Sequence, residues 1–140
     1  LTEKKIAVLG FSFKSNTNDT RQSPSIRICK NLLEEGAYLA IHDPKVAKSQ
    51  IAIDLECEEI NDQNKNINFN KWKFFENIED AVYSADAVII LCDWECYQNI
   101  DWKEISKTMR SPSWLFDTRD VVSVKSIKDL DLNIWKLGIG

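Results

Sequence analysis

Glycine is scarce in this chain: there are four in 140 residues, and none stands between Gly10 and Gly36. A dinucleotide-binding turn needs closely spaced glycines so that backbone can approach a pyrophosphate at a helix N-terminus. Here Gly10 is followed by Phe11-Ser12-Phe13, so independent binding of NAD is not expected. Histidine occurs once, as His42, with no nucleophile partner, and general-base work there is not expected. The four cysteines are Cys29, Cys57, Cys92 and Cys96. Cys92 and Cys96 have the wrong spacing for a redox pair, and no second pair or His cluster supports zinc. Cys29, in a helical pattern, and Cys92, at the end of an apolar run, read as buried thiols. With no secretory signal ahead of them, a reduced, cytoplasmic setting is expected. No run approaches ~18 continuous apolar residues, so no membrane span is expected. The net charge of −4 supplies no general field for nucleic acid or anionic membrane, so an anion site must be built from a few placed cations.

What is present alternates between strand and helix patterns. Lys5–Leu9 is a short β-rich apolar run bounded by Gly10. Ser25–Glu35 places Ile26, Cys29, Leu32 and Leu33 on one helical face, with Ser23 as N-cap, Pro24 at the first position and Gly36 as the stop. Tyr38–His42 is a second strand, closed by a turn at Asp43-Pro44. Residues 45–70 are less regular, and their Asn61–Asn70 stretch, holding five asparagines, reads as an exposed loop. A strand at Trp72–Phe75, a helix at Ile78–Ser84 and the strongest strand, Ala87–Cys92, follow. Trp102–Met109 reads as helix, Trp114–Asp117 as strand, Val124–Leu130 as helix and Ile134–Leu137 as a last strand.

This alternation implies an α/β fold, a doubly wound, mostly parallel Rossmann-like sheet with helices on both faces and strand order 3-2-1-4-5-6. Ligands of such sheets bind beyond the carboxyl ends of the strands, where the winding reverses. The loops at that point are Gly10–Arg21, Cys92–Trp94 and Asp117–Asp120, and they carry Lys14, Arg21 and Arg119. Arg suits bidentate contact with phosphate, and Lys supplies a mobile point charge. Each has a plainer reading: a solvated turn for Lys14 and Arg21, and an ion pair with Asp117 or Asp120 for Arg119. Phe11 and Phe13 fit either the core or a pocket wall. Asp43, at the end of the second strand, imitates a ribose-binding acid, but without the glycines a strand-terminating turn is the better reading. The five tryptophans lack repeat spacing and read as core or interface. No Ser–His–acid order, metal cluster or paired acids stand out, so the residues suit binding and orienting an anion.

GFSFKSNTNDTRQSPS followed by IHDPKV closely resembles the C-terminal UDP-binding domain of the UDP-glucose/GDP-mannose dehydrogenase family, and AVIILCDW and FDTR fit the same family in order and approximate spacing. The resemblance covers essentially the whole chain, and its DTR form with HDPKV looks most like the UDP-glucose-oxidising members. It implies oxidation of UDP-glucose to UDP-glucuronate with two NAD, the cofactor held by an N-terminal domain and the intermediates carried by a cysteine nucleophile. None of the four cysteines stands in that nucleophile motif. Residues 1–140 are therefore expected to be a single C-terminal domain, cut from a longer chain whose NAD-binding and central helical domains are absent here, and inactive alone. By the same resemblance Phe13, Lys14 and Arg119 match positions that bind UDP-glucose, Arg119 across a subunit interface in a self-associating enzyme, and Arg21 matches an arginine that reaches NAD. A GDP-mannose or UDP-N-acetylhexosamine dehydrogenase, or a stand-alone nucleotide-binding module, is the alternative. The sequence departs from the family near Cys92-Asp93-Trp94, at His42, where Tyr is common, and in its longer Asn-rich insert.

Overall fold

The computed structural model describes residues 3–60 and 71–136, so the Asn61–Asn70 loop expectation and the end of the last strand at Leu137 lie outside the described residues. Six strands form one sheet: β1 (Lys5–Leu9), β2 (Tyr38–His42), β3 (Trp72–Phe74), β4 (Ala87–Ile90), β5 (Trp114–Asp117) and β6 (Asn133–Lys136). All pairings are parallel and the order is β3-β2-β1-β4-β5-β6, as expected. The two-residue period of β1 shows why both faces need cover. Ile6 and Val8 join one buried cluster with Cys29, Leu39 and Ile51, while Ala7 and Leu9 join another with Val88, Tyr97 and Leu115. Helices α1 (Pro24–Glu34) and α2 (Lys48–Leu55) serve the first cluster. The short helices α3 (Ile78–Val82), α4 (Glu95–Gln98), α5 (Trp102–Ile105) and α6 (Val124–Ile127) serve the second.

Helix α1 begins and ends where its sequence says it should. The Ser23 hydroxyl accepts from the Ser25 amide (3.2 Å) ahead of Pro24. At the far end Gly36, at φ 94, lets the chain reverse while the Ala37 amide donates to the Leu32 carbonyl (3.1 Å). Helix α2 was not expected within the irregular stretch after residue 45. Ala47 provides no side-chain cap, and Ile53 is 68% exposed although Ile51 and Leu55 are buried. Its apolar residues therefore fail to form the single stripe that marks a helix. Glu56, in the left-handed region at φ 56, ends it. The expected helix at Trp102–Met109 is two pieces, α5 and a 3₁₀ turn at Ser106–Thr108, in which the Thr108 hydroxyl donates to the Ile105 carbonyl (2.7 Å). The one-turn helix α4 was also not anticipated.

On the α1 side of the sheet an aromatic row crosses β5 and β6. Trp114 and Phe116 stack at 5.7 Å, and Phe116 lies 6.5 Å from Trp135. A cleft of about 540 Å³ borders this row, lined by Ile6, Leu32, Ala87, Ile89, Trp114 and Phe116 among others. It lies against the sheet face, away from the carboxyl ends of the strands, and its apolar wall does not suit a phosphate. Trp114 and Trp135 are 41% and 40% exposed, whereas Trp72, Trp94 and Trp102 are buried. Acrylamide should therefore quench tryptophan emission in two classes, and Trp114→Phe/Trp135→Phe should remove the accessible class. A single uniform class would contradict this placement.

Candidate functional site

The loop after β1 is held from three sides. Gly10, at φ 100, donates its N–H to the His42 carbonyl at 2.8 Å, and a methyl group on it would lie 2.4 Å from Cys92 Cβ. Phe11 then turns wholly into the core, and Phe13 stays on the surface, 43% exposed. The buried Asp43 carboxylate accepts the N–H groups of Phe11 and Ser12 at 2.8 and 3.0 Å. From the α1 side, the Ser23 and Ser25 hydroxyls donate to the Phe11 and Gly10 carbonyls at 2.9 and 3.3 Å. The Phe13 N–H closes the loop onto the Asp19 carbonyl (2.7 Å), with Asn16 in the left-handed region at φ 63. Lys14 is exposed on this loop, and its carbonyl accepts from the Ser12 hydroxyl at 2.8 Å.

Arg21 sits at the far end of the loop. Its guanidinium makes a two-point contact with Asp19, Nε to Oδ1 at 3.1 Å and Nη2 to Oδ2 at 3.0 Å, and its side chain is 88% exposed. The hydrogen bonds from Arg21 hold the Asp19 carboxyl below its usual range. In water such a pair is worth little and can be exchanged for another anion.

Across the rim, Asp117 organises the β5 turn. It accepts the N–H groups of Arg119, Val121 and Val122 at 3.1, 3.2 and 2.9 Å. The ion pair expected as the plain reading of Arg119 does not form. The buried Lys136 ammonium lies 3.6 Å from Asp117 and 2.6 Å from Asp120 and takes both carboxylates. The Arg119 guanidinium turns instead to main-chain oxygens, donating from Nε to the Leu91 carbonyl (3.2 Å) and from Nη2 to the Phe13 carbonyl (3.5 Å). Arg119 and the Phe13-Lys14 loop thus share one rim. Arg21 belongs to the same loop but spends its contacts on Asp19.

His42 and Tyr97 close the rim from below. His42 Nδ1 is 2.9 Å from the Tyr97 hydroxyl, which donates to the His42 carbonyl at 3.1 Å. Burial pushes the His42 imidazole below its ordinary range. The unfolded chain therefore takes up a proton first as the pH falls, and stability is lost below about pH 6.5. His42→Gln should flatten that part of a urea-midpoint-against-pH curve; equal slopes in wild type and variant would show that His42 does not titrate on unfolding. Asp43 emerges as the strand-terminating residue that its sequence suggested. Lys136 was invisible in the sequence, because a strand lysine gives no sign of turning inward. Among the described residues no group of His, Cys, Asp and Glu is arranged to hold a metal ion, and no helix is long and apolar enough to cross a membrane.

A doubly wound parallel sheet with a cationic rim over its switch point defines a nucleotide-ligand domain without the dinucleotide glycines. Residues 7–124 match the UDP-glucose/GDP-mannose dehydrogenase family, UDP binding domain, and the chain belongs to that family. It is 33% identical over 138 residues to the UDP-glucose 6-dehydrogenase of Drosophila melanogaster, covering 99% of this chain and 29% of the relative. The Gallus gallus UDP-glucose 6-dehydrogenase is 40% identical over 122 residues, covering 87% of this chain and 24% of the relative. Among solved structures, an NDP-N-acetyl-D-galactosaminuronic acid dehydrogenase from Methanosarcina mazei superposes with a TM-score of 0.74 at 22% identity, over 98% of this chain and 25% of that one. That likeness speaks for the fold. The chain spans less than a third of the length of the curated relatives it matches.

Proposed function

We propose that this chain binds the UDP moiety of a nucleotide sugar on the Phe13–Lys14–Arg119 rim, as the UDP-binding part of a longer, NAD-dependent dehydrogenase that oxidises UDP-glucose to UDP-glucuronate. The observation that carries the reading is the placement of Arg119. Its guanidinium is held by two carbonyls while the neighbouring Asp117 and Asp120 carboxylates are occupied by Lys136, so among the described residues no carboxylate pairs with it at the rim. A preorganised guanidinium beside a mobile lysine suits a pyrophosphate. Phe13 offers an exposed ring to the base or sugar. UDP-glucose is favoured over other nucleotide sugars by relatives that share 30–40% identity and are named for it. On this reading bond making belongs to other parts of the longer enzyme, and residues 1–140 contribute electrostatic positioning.

Arg21 is assigned to NAD held by another domain of the longer enzyme. Its pairing with the exposed Asp19 keeps the guanidinium extended from the loop, and a cofactor phosphate arriving there would replace Asp19.

Calorimetric titration of the chain with UDP, UDP-glucose and NAD tests the reading. UDP and UDP-glucose should bind and NAD should not; binding of NAD alone, or of none of the three, would overturn it. Arg21→Ala should leave UDP affinity unchanged in the chain while raising the NAD requirement of the longer enzyme. An unaltered NAD response would sink that assignment. Activity on a panel of nucleotide sugars separates UDP-glucose from GDP-mannose and UDP-N-acetylhexosamines.

A further inference from the structure

Asp43 occupies the place, at the carboxyl end of β2, where an acid in a dinucleotide-binding fold accepts hydrogen bonds from a ribose. Here that carboxylate has no capacity left for a ligand. Oδ2 accepts the Phe11 and Ser12 amides at 2.8 and 3.0 Å, and Oδ1 accepts the Lys45 and Val46 amides at 2.8 and 3.0 Å. An ionised carboxylate has about four acceptor positions, and four N–H groups fill them. The side chain is 3% exposed, so it does not face the rim at all.

We propose that Asp43 is a positioning residue for the anion site: its carboxylate is the hub that fixes the direction in which Phe13 and Lys14 leave β1. This rests on the UDP-binding reading of the rim. The two amides it holds on the β1 side immediately precede Phe13 and Lys14, and the other two anchor the turn after β2 in the same carboxylate. Nothing else among the described residues receives the Phe11 and Ser12 amides. Asp117 plays the matching part at β5, where three amides fix the turn that presents Arg119. Each half of the rim is thus set by an inward-facing acid, and the ligand meets cations whose loops are already aimed. At the strand end where a ribose-reading acid would stand, this carboxylate holds backbone instead of ligand.

A purely structural role would lower stability and leave affinity alone, so the two are read separately. Asp43→Asn keeps one accepting oxygen and sets an N–H₂ group against two of the four amides. At a temperature well below its own melting point it should raise the Kd for UDP by about tenfold or more, because small displacements of binding groups have large effects. Ile105→Ala, in the core under α5, should lower the melting temperature comparably and change the UDP Kd by less than about twofold, as distant sites act independently. A second measurement needs no variant. UDP added to the wild-type chain should slow amide hydrogen exchange at Lys45 and Val46 together with Phe11 and Ser12, since all four hang on one carboxylate. Wild-type UDP binding with an unchanged Asp43→Asn Kd, or with protection confined to residues 13–21 and 119, would overturn the inference alone. A wild-type chain that binds no UDP would overturn it together with the reading on which it rests.

Discussion

Gly10→Ala should lower the stability of the chain by about 2–5 kcal/mol, combining left-handed strain with overpacking, a large share of the ~5–15 kcal/mol that holds a domain of this size. Two independent effects act at this position. The backbone stands at φ 100, which an L side chain rarely adopts. An added Cβ would also meet Cys92 Cβ at 2.4 Å and the Cys92 amide nitrogen at 2.9 Å. Those atoms follow the end of β4, so β1 and β4 could not keep their register beside the rim. Urea unfolding followed by circular dichroism measures the loss. Cys92→Gly in the same chain removes the Cβ contact but neither the amide contact nor the strain, so it should restore only part of the stability. Full restoration would show that φ plays no role, and a Gly10→Ala chain within about 0.5 kcal/mol of wild type, the range of an ordinary surface change, would show that β4 simply moves away.

Arg119→Ala is the change expected to weaken UDP binding most, by about 10- to 100-fold, the range for removing a charge-assisted hydrogen-bonding group. The residue is exposed, so the melting temperature should hardly move while the Kd does. Arg119→Lys should recover little. An ammonium that held the Leu91 and Phe13 carbonyls would have one donor left, on a tetrahedral centre, where the planar guanidinium keeps three. Lys14→Ala should have a smaller effect, since its ammonium is exposed and carries the rotamer entropy of a flexible stem. Calorimetry on the three variants gives the order directly. Arg119→Ala binding like wild type would remove the rim assignment at its strongest point.

The sheet could be read from the sequence because β1 and β2 are β-rich apolar runs closed by Gly10 and by Asp43-Pro44, and the later strands are apolar runs set between helical patterns. Strand order followed from the alternation of elements. Helix α2 was hidden because Ile53 points outward and blurs the stripe that Ile51 and Leu55 begin. The rim loops could be located but their contacts could not. That Arg119 forgoes Asp117 and Asp120 depends on Lys136, which arrives from a strand edge 17 residues later in the chain and turns its ammonium inward. Asp43 was recognisable as a turn residue from Asp-Pro at a strand end, yet its bonds to Phe11 and Ser12 span 32 and 31 residues, and no local pattern encodes a contact of that range.

The row Trp114–Phe116–Trp135 bears on how the protein behaves in bulk. Apolar strips of this kind are tolerated in solution when like charge keeps molecules apart, and this chain has a net charge of only −4 with an isoelectric point near 5.1. Moving from neutral pH toward 5 removes the repulsion while leaving the strip unchanged. Loss of charge there lets the strips meet, so turbidity on the acid side reports surface chemistry at β5 and β6 together with the fall in stability that His42 brings below about pH 6.5.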